Sequence, residues 1–119
     1  MQPEARDIAY LWDMREAARS IIRFVAGATL EEFRTNDLLR YAVERQFILI
    51  GEAARRVSAE FKAAHSELPW REMIGQRNVL IHEYGEISAE LVWLVATTEL
   101  PKLVEQLDVL VPPEAEGPD

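Results

Sequence analysis

Apolar residues recur every three or four positions along most of the chain, and the stretches are separated by residues that start and stop helices. From Pro3 to Ala26, Ile8, Leu11, Ala18, Ile22 and Val25 form one stripe, interrupted by Arg15, and Gly27 is placed to end it. Thr29-Leu30-Glu31-Glu32 has the form of a capping box, in which Thr29 serves free backbone N–H groups and Glu32 reaches back. A short second helix is expected there. Thr35 and Asn36 offer another start.

From Asp37 the pattern predicts one long helix to about Ala64, with Val43, Phe47, Ile50, Ala54, Val57 and Phe61 as a packing seam. Leu39, Ala42, Leu49 and Ala53 make a second apolar line beside it. Two lines call for two packing partners. One lies inside the domain, and the other is either a further element of a centrally buried helix or a second subunit. Gly51, in mid-helix, costs about 1 kcal/mol of helix propensity relative to Ala, which points to close backbone approach or to simple tolerance.

Pro69 suits the first turn of a helix expected to carry Trp70 through Tyr84, with Gly75 as a candidate break and Gly85 as the stop. Ser88 can cap a last helix, in which Leu91, Leu94, Val95, Leu103, Val104, Leu107 and Val111 keep helical spacing through a kink at Pro101. No segment alternates as a strand would. The expected fold is all-α, an up-down bundle of about five helices forming one domain over residues 1–111, with a disordered acidic tail at 112–119.

Composition narrows the function. The 119 residues are 49% hydrophobic, enough for one core, and contain no cysteine, which excludes disulfides, thiolate metal sites and thiol nucleophiles. No run approaches the roughly 18 apolar residues of a membrane span, and Met1 to Asp7 lack the order of an export signal. A soluble, cytoplasmic protein without a membrane partner is expected. The net charge of −8 argues against coating nucleic acid, so any RNA contact must be local. Acidic residues from Glu99 onward load the end of the chain, whereas Arg34, Arg40, Arg45, Arg55, Arg56 and Lys62 lie mid-chain as either a basic patch or a solvated face.

Only two histidines are available for acid-base work near neutral pH. His65 falls in a helix-ending loop, where it can cap carbonyls, and is read as structural. His82 sits in Arg77-Asn78-Val79-Leu80-Ile81-His82-Glu83-Tyr84. On a continuous helix His82 would lie about 140° around from Arg77, Asn78 one turn before His82, and Tyr84 close to the Arg77 line. Metal-free RNA cleavage needs a base for the ribose 2′-hydroxyl, an acid for the leaving oxygen and a fixed cation for the phosphate. His82 can serve as base or acid, Arg77 can hold phosphate, and Asn78 can bind phosphate or orient the ring. One helix supplies one histidine, so an acid and base pair is easier to build from two copies. No His, Asp and Glu cluster has catalytic metal spacing, so neither metal nor cofactor is expected. These residue types on a helix are also common structural groups: Arg77 and Glu83 as surface charges, His82 as a satisfied core residue.

At these eight residues the chain resembles the HEPN superfamily, whose signature is Arg, a polar residue, several others and then His. The extension to Tyr84 is similar to the HepT-like toxin branch. Glu44-Arg45, Ile50-Gly51-Glu52-Ala53, Leu68-Pro69-Trp70, Val92-Trp93 and Leu100-Pro101 extend the likeness over about residues 5 to 111. The resemblance implies a homodimer with both motifs facing one cleft, and a metal-independent endoribonuclease leaving a 2′,3′-cyclic phosphate. It also implies a type VII-like toxin and antitoxin pair, in which a minimal nucleotidyltransferase neutralises the toxin by transferring AMP to the motif tyrosine, Tyr84 by position. The alternative is a non-catalytic helical subunit that presents substrate or nucleotide to such a nucleotidyltransferase.

Overall fold

A computed structural model describes residues 3–75 and 88–113. Among them there is no strand. The helices are α1 (Pro3–Val25), α2 (Leu30–Thr35), α3 (Asp37–Arg56), α4 (Ala59–Ala64), α5 (helical over 70–75), α6 (Ala89–Leu94) and α7 (Leu100–Leu110), with a π-helical turn, Val95–Glu99, between the last two. The all-α bundle expected from the pattern is the observed fold.

The helix starts are set by local chemistry. Gly27 takes the left-handed conformation, φ 76°, that a β-carbon disfavours, and so turns the chain out of α1. The Glu32 N–H donates to Thr29 Oγ1 at 3.1 Å and the Thr29 N–H to Glu32 Oε1 at 3.3 Å, completing the capping box. Asn36 closes α2 and caps α3 by accepting from the Leu39 N–H at 3.1 Å.

Three helices make the core. α1 packs along α3 on one side and α7 on another. Leu11, Met14, Ala18 and Ile21 of α1, Val43 and Ala54 of α3, and Leu107 of α7 have no exposed surface. The buried face of α1 is therefore rotated from the expected stripe: Met14 and Ile21 are at its centre, while Ile8 and Ile22 are only half-buried. A helix with two packing partners buries a wider arc than one stripe records. Arg15, which breaks the stripe, leaves the core sideways. Its Nη1 lies 3.4 Å from Asp108 Oδ1 of α7, and Arg19 Nη2 reaches the same oxygen at 2.9 Å. Glu16 holds both arginines, so the helix pair carries a small charge network at its edge.

The expected helix from Asp37 to Ala64 is two helices. Val57 turns to an extended conformation and Ser58 starts α4, its Oγ accepting from the Phe61 N–H at 3.1 Å. Asp7, 4% exposed, decides the break: its carboxylate accepts the Ser58 N–H at 2.9 Å and the Ser58 Oγ–H at 2.7 Å. A carboxylate 51 positions away in the chain satisfies the groups that a continuous helix would have used internally. Val57 keeps its place in the core and Phe61 packs on its edge, so the apolar spacing survives the break in the backbone.

The last helical run is continuous but changes pitch. Pro101 has no N–H, and its ring would meet the carbonyl four residues earlier, so the turn before it widens and the Leu100 N–H donates to Val95 O. The expected kink is thus taken up as a π-helical turn. Thr97 Oγ1 donates to Trp93 O at 2.8 Å and Thr98 Oγ1 to Leu94 O at 2.5 Å, occupying carbonyls that the wider turn leaves underused.

Candidate active site

The residues expected to carry the chemistry, Arg77, Asn78, His82 and Tyr84, lie outside the described residues, as do the expected continuation of the helix to Tyr84, the stop at Gly85 and the tail at 114–119. The structure describes how the chain reaches this segment and how it leaves.

On the upstream side Pro69 opens α5, and the Met73 N–H donates to Pro69 O at 3.0 Å. Leu68, Trp70 and Met73 are buried, and Trp70 Nε1–H donates to His65 O at 2.9 Å. His65 lies at the end of α4, the helix end where it was expected. Its N–H donates to the Phe61 and Lys62 carbonyls at the end of α4, and its ring stacks on Phe61 with centroids 4.2 Å apart. Trp70 meets the edge of Phe61 at 6.4 Å. These contacts fix the start of α5. Residue 75 keeps helical backbone, and nothing lies within 4 Å of where a β-carbon would stand on Gly75.

On the downstream side Ser88 caps α6, its Oγ accepting from the Leu91 N–H at 3.4 Å. Glu90 in the first turn pairs with Arg34 of α2, whose Nε donates to Glu90 Oε1 at 2.7 Å. The Glu90 carboxyl is held down at about 2, first by the Ser88 hydroxyl, which donates to it at 2.8 Å, then by its own backbone N–H and by Arg34. Behind α6, Trp93 meets Phe33 of α2 with ring centroids 5.5 Å apart, and Val92 is buried.

Two other features lie on the described helices. Between α3, α5 and the π-helical turn runs a groove of about 370 Å³, with Phe47, Ile50 and Met73 among its apolar walls and Glu67, Glu72 and Glu99 at its margin. Its apolar walls and acidic margin do not suit a phosphate. On α3, half-buried Glu44 has its carboxyl pushed up by burial, against the opposing pull of Arg40. Of the mid-chain cations, Arg34 and Arg40 are paired with Glu31, Glu90 and Asp37, and Lys62 Nζ donates to Arg55 O. Pattern reasoning missed Asp7, the buried carboxylate that sets the α3 to α4 break. Its acidic position near a helix start carried no signal, because its partner is remote in sequence.

With this arrangement in view, comparison with known proteins is decisive at the level of family. Residues 14–110 match the sequence profile of the family described as Ribonuclease HepT-like. The chain belongs to the HepT-like ribonuclease family. A Methanocaldococcus jannaschii protein provisionally named an RNase is 37% identical over 106 residues, covering 88% of this chain and 97% of its own. A Thermococcus cleftensis protein provisionally named ribonuclease HepT is 34% identical over 101 residues, covering 85% of this chain and 92% of its own. A third relative, from Caldanaerobacter subterraneus and again provisionally named an RNase, is 32% identical over 105 residues, covering 88% and 94%. No solved structure matches the chain significantly. Among the described residues no helix is long and apolar enough to cross a membrane.

Proposed function

We propose that this protein is a metal-independent endoribonuclease, the cytoplasmic toxin of a two-gene pair, working as a homodimer. The observation that carries it is the Arg77-Asn78-x-Leu80-x-His82-x-Tyr84 pattern within a chain whose family and relatives bear ribonuclease names. Arg77 holds the scissile phosphate, His82 moves the proton of the 2′-hydroxyl or of the leaving oxygen, and Asn78 orients the phosphate or the ring. The second histidine comes from the partner subunit. Surface for a second copy is available on the described helices: Leu38 and Tyr41 on α3 and Leu91 and Leu94 on α6 are exposed, Leu38 by 80%.

Control follows from Tyr84. A minimal nucleotidyltransferase antitoxin transfers AMP from ATP to its hydroxyl with release of pyrophosphate, and the added phosphodiester competes for Arg77 while the adenosine obstructs the cleft. The test uses purified protein with RNA in excess EDTA. Cleavage should persist, and His82→Ala and Arg77→Ala should each abolish it while circular dichroism and light scattering show an intact helical dimer. Loss of cleavage with chelator, or full activity in the His82→Ala protein, would overturn the mechanism.

A further inference from the structure

Away from the α5 groove, α1 and α3 leave an open groove of about 390 Å³ along their outer seam. Matched lines supply it, Tyr10, Asp13, Ala17 and Ser20 from α1 and Gln46, Leu49, Ala53 and Arg56 from α3, each set spaced three, four and three apart. The volume lies within the range of about 300 to 1,000 Å³ usual for small-ligand sites.

Its chemistry is mixed in a particular way. Ala17, Leu49 and Ala53 make an apolar floor, and the rings of Tyr10 and Trp12 are half-buried beside it. Three of the polar groups are already engaged: Glu16 holds Arg15 and Arg19, Ser20 accepts from Arg23, and Glu52 has a partner as well. Asp13, Gln46 and Arg56 are not. Among the described residues their side chains make no hydrogen bond or ion pair, although all three line the same groove. Burial pushes the Asp13 carboxyl up, so it is partly stripped of water without receiving a partner. A fold that leaves a carboxylate, an amide and a guanidinium unspent around an aromatic and apolar floor offers a flat polar ring both faces and edges.

We propose that this groove is a base pocket that selects guanine in the RNA substrate, an inference that rests on the ribonuclease reading above. Guanine presents two donors, N1–H and the N2 amino group, on one edge and two acceptors, O6 and N7, on another. A carboxylate such as Asp13 accepts the first pair and a guanidinium such as Arg56 donates to the second. Adenine puts a bare ring nitrogen where guanine has N1–H, and that lone pair is repelled by a carboxylate. The pyrimidines lack the O6 and N7 pair. Tyr10 or Trp12 supplies the stacking face. Asp13, Glu16 and Glu52 together disfavour a phosphate in the groove, so it receives the base and leaves the backbone outside.

The experiment is an NMR titration of the ¹⁵N-labelled full chain with GMP, AMP, CMP and UMP, and separately with ribose 5-phosphate. GMP should shift the amides of α1 and α3 that line the groove, binding about tenfold more tightly than the other three, while ribose 5-phosphate leaves them unmoved. Asp13→Asn and Arg56→Gln should each weaken GMP about tenfold with helicity unchanged, the loss expected for one hydrogen bond involving a charged group. Sequenced RNA ends should show cutting near guanine for the parent chain and a flattened preference for Asp13→Asn. Equal shifts with all four nucleotides, shifts with ribose 5-phosphate, or a groove that stays silent because a second copy covers it would each overturn the proposal. RNA cut without base preference, and no GMP binding, would remove the pocket and keep the ribonuclease. GMP bound without any RNA cleavage would do the reverse.

Discussion

The α1, α3 and α7 bundle and the short α5 and α6 helices on either side of the motif in sequence draw on burial and on surface contacts in different proportions. The bundle buries whole side chains, with Leu11, Met14, Ile21, Val43 and Leu107 fully removed from water. The flanks are short and bury less: α5 buries Trp70 and Met73, while α6 has six residues, buries only Val92 and is held by Trp93 against Phe33, by the Ser88 cap and by the exposed Arg34 and Glu90 pair. Burial is cooperative and responds little to pH, whereas caps and surface ion pairs contribute little each and respond to pH and salt. The difference teaches that helices of one small domain can rest on unequal shares of burial, and that α6, with the smaller share, is expected to open first.

The strongest way to break this comparison is in the bundle. Ile21→Ala removes a fully buried side chain at the crossing of α1 with its neighbours and should cost about 3 kcal/mol of global stability, read by urea unfolding. A loss below about 1 kcal/mol would place Ile21 in a loosely packed region and erase the contrast. Ser88→Ala should act locally instead. Losing the cap costs about 1 kcal/mol, so the amides of Leu91 and Val92 should exchange about fivefold faster while those of α1 and α3 do not change. Equal acceleration in α1 would show that α6 opens only with the whole domain.

The smallest effect belongs to Glu90. Its folded carboxyl is depressed to about 2 from the ordinary 4.5, so the ionised form is favoured by folding. That contribution is present above the unfolded value and disappears as pH falls from about 4.5 through about 2. Because Glu90 is solvent-exposed, Glu90→Gln should leave the melting temperature nearly unchanged while slightly flattening its fall over that acid window. A steep acid transition kept in full by the variant would assign the pH response to other carboxylates.

Helix type and much of the punctuation were legible because they depend on neighbours in the chain. The Thr29 and Glu32 box, Gly27 at the end of α1, Ser88 and Pro69 all act within about one turn. The Val43, Phe47, Ile50, Ala54 and Val57 seam was legible for the same reason, since spacing alone puts those residues on one face. The α3 to α4 break was not, because nothing near Ser58 forbids a helix there and its partner, Asp7, is brought across only by packing of α1. Arg15 misled for a related reason: a charge in an apolar stripe reads as an interruption until α7 brings Asp108 beside it.

The amino-acid order by itself determined an all-α domain, most of its helix boundaries and, through the motif around Arg77 and His82, membership of a ribonuclease family. These rest on short-range hydrogen bonding, helical periodicity and residue identity, all of which are written along one dimension. Only the tertiary structure decided which arc of α1 is buried, where the long helix breaks, how Pro101 is absorbed in a π-helical turn, and that Asp13, Gln46 and Arg56 share one groove. Each depends on which helices cross and at what register. That choice is made by the summed burial of many side chains remote in sequence, and no local pattern encodes it.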